Sequence, residues 1–282
     1  MSFDVYTSLL KMFEEFSFNS DGVHLSYDLS SPELFEIKQK YMLDNIAGKG
    51  SDFSKAKNIL FWLSKNCYHN GNFNFKEEPT GKNILEHSYQ KGIEYGVNCS
   101  ALAEVLTDCF LSLGFMARTM FIMPFSPYDH DNHTVTHVYI NEIKKWVMMD
   151  PTFSCYVMNK EKIPLDLFEI RDLLSNQNYI EFNEEAKYND EKRTKDSEEI
   201  KEYYAKDLFY FVTSERSCYN VRKDNREIHI IPANYDVKKK EILNVEYRRR
   251  KNGDAEWLQN WLQNIRENKY LFSLPFEVIK EP

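Results

Sequence analysis

Gly96-Val-Asn-Cys-Ser-Ala-Leu-Ala-Glu-Val-Leu-Thr-Asp-Cys-Phe-Leu-Ser-Leu-Gly114 is the stretch of this sequence that decides the fold. Its apolar residues recur at the three- and four-residue spacing of one helical face: Leu102, Val105, Leu106, Cys109, Phe110 and Leu113. Asn98 is a good N-cap residue, and glycine at position 114 favours termination of a helix. We therefore predict a helix that begins at or just after Asn98 and ends before Gly114.

Cys99 falls in the first turn of this predicted helix. Unpaired backbone N–H groups and the helix dipole favour negative charge at that place. A thiol there tends toward the thiolate, which is the nucleophilic form. The alternative is an ordinary buried cysteine in a core helix. The sequence downstream favours the reactive thiol over this alternative.

Composition and charge limit the class of protein. The chain has 282 residues, 42% of them hydrophobic and 15% aromatic, which is typical of a folded globular protein. Its formal net charge of −8 at pH 7 gives no electrostatic reason to expect a nucleic-acid partner. No apolar run approaches the length of a membrane span, so we expect no membrane partner either.

The N-terminus and the cysteines indicate in which cellular compartment the protein is expected. Residues 1–7 lack a basic region followed by an apolar stretch, so the sequence predicts no secretory signal. The five cysteines are an odd number with irregular spacing and no CxxC pair. We therefore expect reduced thiols and a cytoplasmic location, without a disulfide framework or a structural zinc site.

The elements around the cysteine helix indicate the fold class. A short amphipathic segment at Tyr6–Phe16 opens the chain, and helices are predicted before the cysteine helix at Pro32–Met42, Ser51–Cys67 and Ile84–Gly92. Strands are predicted after it, at Phe115–Met123, at His133–Ile140 and, in part, at Lys144–Met149. This arrangement favours an α+β protein in which helices pack on an antiparallel sheet.

The connection between the last two strands sets their register. A two-residue loop at Asn141 and Glu142 would pair Ile140 with Ile143 and place His133 opposite Asp150. Cross-strand partners have Cβ atoms about 4.5–5.5 Å apart, which allows a histidine–carboxylate hydrogen bond. Pairing of His137 with Asp150 needs a wider loop, so this register favours His133. A slip of register would exchange the faces.

Together, the cysteine helix, GFMART at 114–119, the histidine strand and KWVMMDPTF at 145–153 resemble the transglutaminase-like superfamily of papain-like cysteine enzymes. The resemblance covers roughly residues 60–160. In that family a cysteine opens a helix, a histidine starts the next strand, and an aspartate precedes a proline after a Trp-containing strand. The histidine lies a few residues before a Val-Tyr pair, here Val138-Tyr139. The matching residues are Cys99, His133 and Asp150.

The resemblance implies a papain- or transglutaminase-like core with the catalytic helix packed against an antiparallel sheet. We expect one domain over 1–282, with a catalytic core at about 51–160 and a C-terminal extension at about 161–282. The implied activity is acyl transfer or hydrolysis at amide bonds of a peptide or protein substrate, as a protease, amidase or transglutaminase. The expected intermediate is a thioester acyl-enzyme, and no cofactor is expected.

The three matched residues have distinct expected roles. Cys99 attacks the carbonyl, His133 holds the thiolate and protonates the leaving group, and Asp150 orients the imidazole. The backbone N–H of Cys99 could donate to the oxyanion, and the sequence does not identify a second donor. The alternative is a catalytically inactive binding or scaffold protein of the same fold.

Additional histidines depart from the family pattern. A rival metal site would use Asp129, His130, Asp131, His133 and His137, but we expect no metal. His69 lies in the polar loop 68–74. We predict an exposed or packing role for it, while a role that faces substrate stays open.

The C-terminal half carries fewer signals. The charged run 184–202 predicts a solvated helix or a flexible excursion. Strands are predicted at 208–213, 227–231 and 241–247, with the basic run 248–251 as a solvated strand end. An amphipathic helix is predicted at Ala255–Asn268, with its aromatic residues packed on the sheet. We expect this half to extend the core and to wall a cleft.

Overall fold

A computed structural model describes residues 2–16, 25–73, 77–194, 196–221, 226–267 and 271–272. The predicted α+β class is confirmed. The helices of the described residues are α1 (Phe3–Met12), α2 (Pro32–Lys40), α3 (Leu43–Ala47), α4 (Asp52–Asn66), α5 (Gly81–Ser88), α6 (Cys99–Ser112), α7 (Leu167–Ser175), α8 (Glu198–Asp207), α9 (Val237–Asn252) and α10 (Glu256–Arg266). In this part of the chain, each helix is too short or too polar to cross a membrane.

The strands of the same residues are β1 (Ser26–Tyr27), β2 (Ala117–Met123), β3 (His133–Ile140), β4 (Lys145–Asp150), β5 (Cys155–Met158), β6 (Glu181–Phe182), β7 (Lys187–Tyr188), β8 (Glu191–Lys192), β9 (Tyr210–Ser214), β10 (Arg216–Ser217), β11 (Glu227–Ile230) and β12 (Leu271–Phe272). Eight of them form the main sheet in the order β12-β11-β9-β2-β3-β4-β5-β6. Its pairs are antiparallel apart from β11 with β12, which are parallel.

The two faces of this sheet are covered by different helices. Side chains of a strand alternate between faces, so Val135 and Val138 of β3 enter separate hydrophobic clusters. On the face of Val138, α6 packs against β2 and β3 and is flanked by α2, α4 and α5. The face of Val135 is covered by residues of α1, α7 and α8. The sheet therefore lies between two helical layers.

The cysteine helix begins and ends as predicted. The side-chain oxygen of Asn98 accepts a hydrogen bond from the backbone N–H of Ala101 at 2.9 Å, which caps the first turn of α6. Gly114 follows the last turn with φ +87°, a conformation that favours glycine. The predicted apolar residues of the helix are buried, with Leu113 partly so.

The predicted register of the β3–β4 hairpin is wrong by two residues. Ile140 pairs with Lys145 and Thr136 with Met149, because a 3-10 turn at Asn141–Ile143 and Lys144 at φ 48° close the hairpin. Asn-Glu lacks the glycine that favours positive φ in a two-residue turn, and the wider loop avoids that requirement. A shift of two residues preserves the faces. His133 and Asp150 therefore share a face but are diagonal neighbours.

The predicted strand at 241–247 is wrong, because these residues lie within α9. The side chain of Asp236 caps this helix by accepting from the backbone N–H of Lys239 at 2.9 Å. Its buried residues recur at helical spacing: Val237, Lys240, Glu241, Asn244 and Val245. The basic run 248–251 consequently lies near the C-terminal end of a helix, where cations interact favourably with the helix dipole.

The packing predicted for the next helix is also wrong. The buried face of α10 meets α9, where Leu258, Leu262 and Ile265 form a small cluster with Val245. The side chain of Trp257 is 51% exposed and does not pack on the sheet. The predicted end of this helix at Asn268 lies outside the described residues.

The charged run 184–202 is more structured than predicted. It contains the β7–β8 hairpin and the first turns of α8, and Lys195 lies outside the described residues. Ala186 and Ile200 are fully buried in the cluster on the Val135 face. The few apolar residues of the run therefore join the core, which its high charge concealed. The strands predicted at 208–213 and 227–231 are confirmed as β9 and β11.

Candidate active site

The candidate site lies where three elements begin or end. Cys99 is the first residue of α6, His133 is the first residue of β3, and Asp150 is the last residue of β4. Cys99 is partly buried, whereas His133 and Asp150 are buried. The structure thus brings the three predicted residues to the same end of the sheet.

His133 is fixed by Asp150. The ring Nε2 lies 2.7 Å from Oδ2 of the carboxylate. The hydroxyl of Tyr204 also donates to Oδ2 at 2.7 Å, and the backbone N–H of Thr152 donates to Oδ1 at 2.8 Å. Both carboxylate oxygens are therefore hydrogen-bonded inside the protein, as a buried carboxylate requires.

Mutual attraction controls the charges of this pair. Burial lowers the pKa of His133, but the charge and hydrogen bond of Asp150, together with Cys99, outweigh it and raise the pKa well above its ordinary value. Burial raises the pKa of Asp150, but His133, Tyr204 and the Thr152 amide lower it below the ordinary range. The pair is therefore an imidazolium bound to a carboxylate at neutral pH.

Cys99 is the thiol whose environment favours ionisation. Burial raises its pKa, but hydrogen bonding and charge from His133 and His69 outweigh burial and lower the pKa to about 6. Its Sγ also lies 3.9 Å from Oγ1 of Thr134, the second residue of β3. At neutral pH the sulfur is therefore mainly a thiolate.

The other cysteines differ from Cys99. All five are free, and Cys67, Cys109 and Cys155 are buried. Burial raises the pKa of each of these three and of the partly buried Cys218. The lowered pKa thus distinguishes one thiol from four others in the same chain.

His69 is the residue that the sequence did not place in the site. Its imidazole contributes to the lowered pKa of Cys99, and its Nδ1 lies 3.0 Å from the hydroxyl of Tyr188. The Asn189 side chain accepts from the backbone N–H of His69 at 2.7 Å and donates to its carbonyl at 3.2 Å. These partners lie about 120 positions along the chain, so no local pattern marks the histidine.

A cleft of about 450 Å³ opens beside His69 and His133. Its lining includes both imidazoles, His69 and His133, and aromatic side chains from distant parts of the chain: Tyr6, Phe153, Tyr188 and Tyr203. Charged residues of both signs complete it. The residues after 161 therefore contribute to the wall of the cleft, as predicted for the C-terminal half.

The rival metal ligands are dispersed. His137 stacks on Trp146, with ring centroids 5.1 Å apart, and the ring of His130 lies 5.3 Å from that of Tyr247. Burial and the charge of Arg118 lower the pKa of His137 to about 3. Among the described residues, no group of three or more histidine, cysteine, aspartate or glutamate side chains could hold a metal ion.

Comparison with known proteins supports the resemblance for the core. Residues 40–151 match the family model described as the transglutaminase-like superfamily, and this segment contains Cys99, His133 and Asp150. No curated protein is significantly similar to the chain. One similar solved structure is a candidate cysteine protease from Cytophaga hutchinsonii, with 19% identity and a TM-score of 0.33. The match covers 42% of this chain and 37% of that one, so it spans less than half of either.

Proposed function

We propose that this chain, whose residues 40–151 match the transglutaminase-like superfamily, is a cysteine-dependent enzyme that acts on amide bonds of peptides or proteins. One observation carries the proposal: a thiol with its pKa lowered to about 6 begins a helix beside an imidazole that is held by a buried carboxylate. A nucleophile, a proton carrier and an orienting group in this order are what covalent acyl transfer requires.

The proposed reaction has two stages. The Cys99 thiolate attacks the carbonyl carbon, and the displaced electron pair forms an oxyanion near the helix start, where the backbone N–H of Cys99 can donate. The carbonyl reforms as the C–N bond breaks, and His133 gives its proton to the leaving amine. Asp150 keeps the imidazolium oriented throughout this stage.

The second stage regenerates the thiolate. Water or an amine attacks the thioester carbon, and His133 accepts the proton that the nucleophile releases. The C–S bond then breaks and its electron pair returns to the sulfur. Water completes a protease or amidase reaction, whereas an amine completes a transglutaminase reaction. The cleft has the size of a typical ligand pocket, and it is lined by His69 and His133, the two imidazoles that lower the pKa of Cys99.

The segment after the core belongs to the same proposal. Tyr188 and Tyr203 line the cleft, and Tyr204 donates to Asp150. We therefore propose that residues 161–282 extend the core within one domain over 1–282 and complete its site.

Trapping of an acyl-enzyme tests the proposed function. The protein is incubated with a library of glutamine-containing peptides, with and without dansylcadaverine as an amine acceptor, and intact mass is measured during turnover. We expect an acyl adduct on Cys99 and either peptide hydrolysis or an amine conjugate. Cys99→Ala should abolish both, while Cys218→Ala, which alters the other partly buried cysteine, should retain them. Reaction of Cys99 with iodoacetamide but with no acyl donor would instead support the inactive binding protein.

A further inference from the structure

Cys99, His133 and Asp150 leave one feature of the site without a role. This feature is His69, which is held by the tip of the β7–β8 hairpin. The loop that carries His69 is tied to the residues just before α6, since His69 forms a parallel bridge with Val97. The N–H of Asn70 donates to the carbonyl of Val97 at 2.8 Å, and the N–H of Val97 donates to the carbonyl of Tyr68 at 2.9 Å. The imidazole is thereby held at a fixed position relative to Cys99, two residues further on.

The other side of His69 is held by the turn of the β7–β8 hairpin. Asn189 occupies this turn at φ 51°, a conformation that asparagine tolerates better than most residues. Its side chain makes two hydrogen bonds to the backbone of His69. The hydroxyl of Tyr68 lies 3.0 Å from the carboxylate of Asp190 and joins the same two segments away from the ring. His69 is thus held on one side by the segment before α6 and on the other by the β7–β8 hairpin, which lies outside residues 40–151.

We propose that His69 is a catalytic residue whose Nε2–H donates a hydrogen bond to the oxyanion, and that Tyr188 is the positioning residue that holds the ring through Nδ1. The proposal rests on the proposed function of Cys99. The Tyr188 hydroxyl lies 3.0 Å from Nδ1 and occupies that nitrogen. The other ring nitrogen, Nε2, is therefore left to donate its N–H elsewhere. Nε2 is then the nitrogen directed to the reacting atoms.

The position of the ring suits this role. The imidazole lines the cleft together with His133 and interacts with the sulfur. The oxygen of a tetrahedral intermediate is two bonds from that sulfur, so a donor already at the sulfur is within reach of it. The backbone N–H of Cys99 supplies one donor, and His69 supplies the second. His133 is bound to Asp150 and carries the transferred proton, so proton transfer and oxyanion binding fall to different imidazoles.

Two small probes separate the oxyanion role from an effect on the thiol. With 4-nitrophenyl acetate, the sulfur pair of Cys99 forms a C–S bond and the carbonyl pair moves to oxygen. That pair then reforms the carbonyl while the C–O bond breaks, and 4-nitrophenolate leaves with the bonding electrons. With iodoacetamide, the sulfur displaces iodide at a CH₂ carbon without an oxyanion. Both rate constants are measured across pH, and their limiting values at high pH are compared, where the sulfur is fully ionised.

The expected result is a selective loss of acylation. His69→Ala should lower the limiting acylation rate constant by about 10²-fold, the size of losing one oxyanion donor, with alkylation changed by less than about threefold. His69→Gln, which keeps an N–H donor, should recover part of the loss. Tyr188→Phe retains the aromatic ring but removes the hydroxyl that holds Nδ1, so acylation should slow by about three- to tenfold through a less well oriented imidazole. Tyr68→Phe is the matched control, since it removes a hydroxyl contact between the same segments, and should acylate normally.

Other outcomes overturn the inference. Equal losses in both reactions for His69→Ala would mean that the imidazole acts only on the thiol. Unchanged acylation would mean that it takes no part, and equal effects in Tyr188→Phe and Tyr68→Phe would reduce Tyr188 to a packing role. Absence of acylation at Cys99 in the unaltered protein is a separate failure, because it refutes the proposed function itself. Far-UV circular dichroism and melting curves establish that each variant is folded.

Discussion

His133 and His137 lie four residues apart on the same face of β3 and are both buried, yet their pKa values are shifted in opposite directions. At the start of the strand, the carboxylate of Asp150 raises the pKa of His133 despite burial. Four residues on, burial and the guanidinium of Arg118 lower the pKa of His137 to about 3. Burial penalises the charged form of both rings, so the neighbouring charge decides which one is an imidazolium.

The surroundings of the two rings differ in a second way. His133 lines the cleft and contacts the carboxylate, whereas His137 stacks on Trp146 inside the sheet. Neither ring nitrogen of His137 has a hydrogen-bond partner among the described residues. A catalytic histidine therefore needs a ring that borders the cleft and a carboxylate beside it. A position on the right strand is insufficient by itself.

The largest expected effect comes from substituting each of the two histidines separately. His133→Asn removes the proton carrier and should lower amide turnover by about 10³-fold, within the range for general acid–base catalysis. His137→Phe keeps a ring that can stack on Trp146 and should retain activity within about threefold. Steady-state rates on the peptide found by acyl-enzyme trapping provide the measurement. Comparable losses in the two variants would remove the distinction between them.

The next effect concerns the carboxylate that distinguishes the two sites. Asp150→Asn preserves the shape but removes the charge that supports the imidazolium and can favour the wrong tautomer. We expect turnover to fall by about 10²-fold or more, with a smaller change in melting temperature. Asp150→Ala should be similarly slow. Full activity of Asp150→Asn would leave the aspartate with only a structural role.

A smaller effect is expected from removing the Tyr204 hydroxyl, which donates to the carboxylate of Asp150. Tyr204→Phe removes the 2.7 Å hydrogen bond to Oδ2 of Asp150. Hydrogen bonds to charged groups contribute about 1.5–3 kcal/mol, so unfolding in urea should require less free energy by about this amount. Turnover should fall only a few-fold, because His133 retains its own bond to the same oxygen. An unchanged unfolding free energy would mean that the contact contributes nothing net.

The pH dependence of stability should differ in sign between the two histidines. Below about pH 6.5, the unfolded state protonates His137 while the folded state, with its pKa near 3, does not. Stability is therefore lost as the pH falls from about 6.5 toward 3, by at most about 1.4 kcal/mol per pH unit. Urea unfolding at pH 4 and pH 7 should show a smaller acid loss in His137→Phe than in the unaltered protein. An identical loss in both would contradict a neutral buried His137.

His133 contributes stability below its unfolded pKa and loses that contribution as the pH rises through its raised folded pKa. Between about pH 6.5 and 8.5, however, folded Cys99 has released a proton that the unfolded thiol retains, so the two differences cancel. The alkaline loss should therefore appear only above about pH 8.5. His133→Asn should reduce it, which unfolding at pH 8 and pH 10 can measure. A steep loss already between pH 7 and 8 in the unaltered protein would contradict this balance.

Much of the fold followed from local patterns in the sequence. The capped helix at Cys99 and the β-branched strand at His133 carry signals within their own segments, and both were predicted with accurate starts. The strand prediction for 241–247 is wrong because the apolar side chains of Ile242, Leu243 and Val245 are typical of a strand. The cap at Asp236 and the helical recurrence of buried residues over 237–245 override this propensity.

The candidate site followed from sequence only in part. Cys99, His133 and Asp150 were selected by spacing and family resemblance, and the choice of His133 survived a hairpin register that was wrong by two residues. An even shift preserves faces, so the error did not separate the pair. His69 and Tyr204 were not selected, because their contacts join segments far apart in the chain and no periodicity encodes such contacts.

The pH profile of alkylation at Cys99 is the most direct test of the claim that His133, and not His137, supports the reactive thiol. Iodoacetamide labelling of Cys99 is measured by peptide mass across pH 4–10 in the unaltered protein, His133→Asn and His137→Phe. We predict a midpoint near about 6 in the unaltered protein and in His137→Phe. In His133→Asn it should move toward the ordinary thiol value of about 8.5. A midpoint near 8.5 in the unaltered protein, or an equal shift in both variants, would contradict the account.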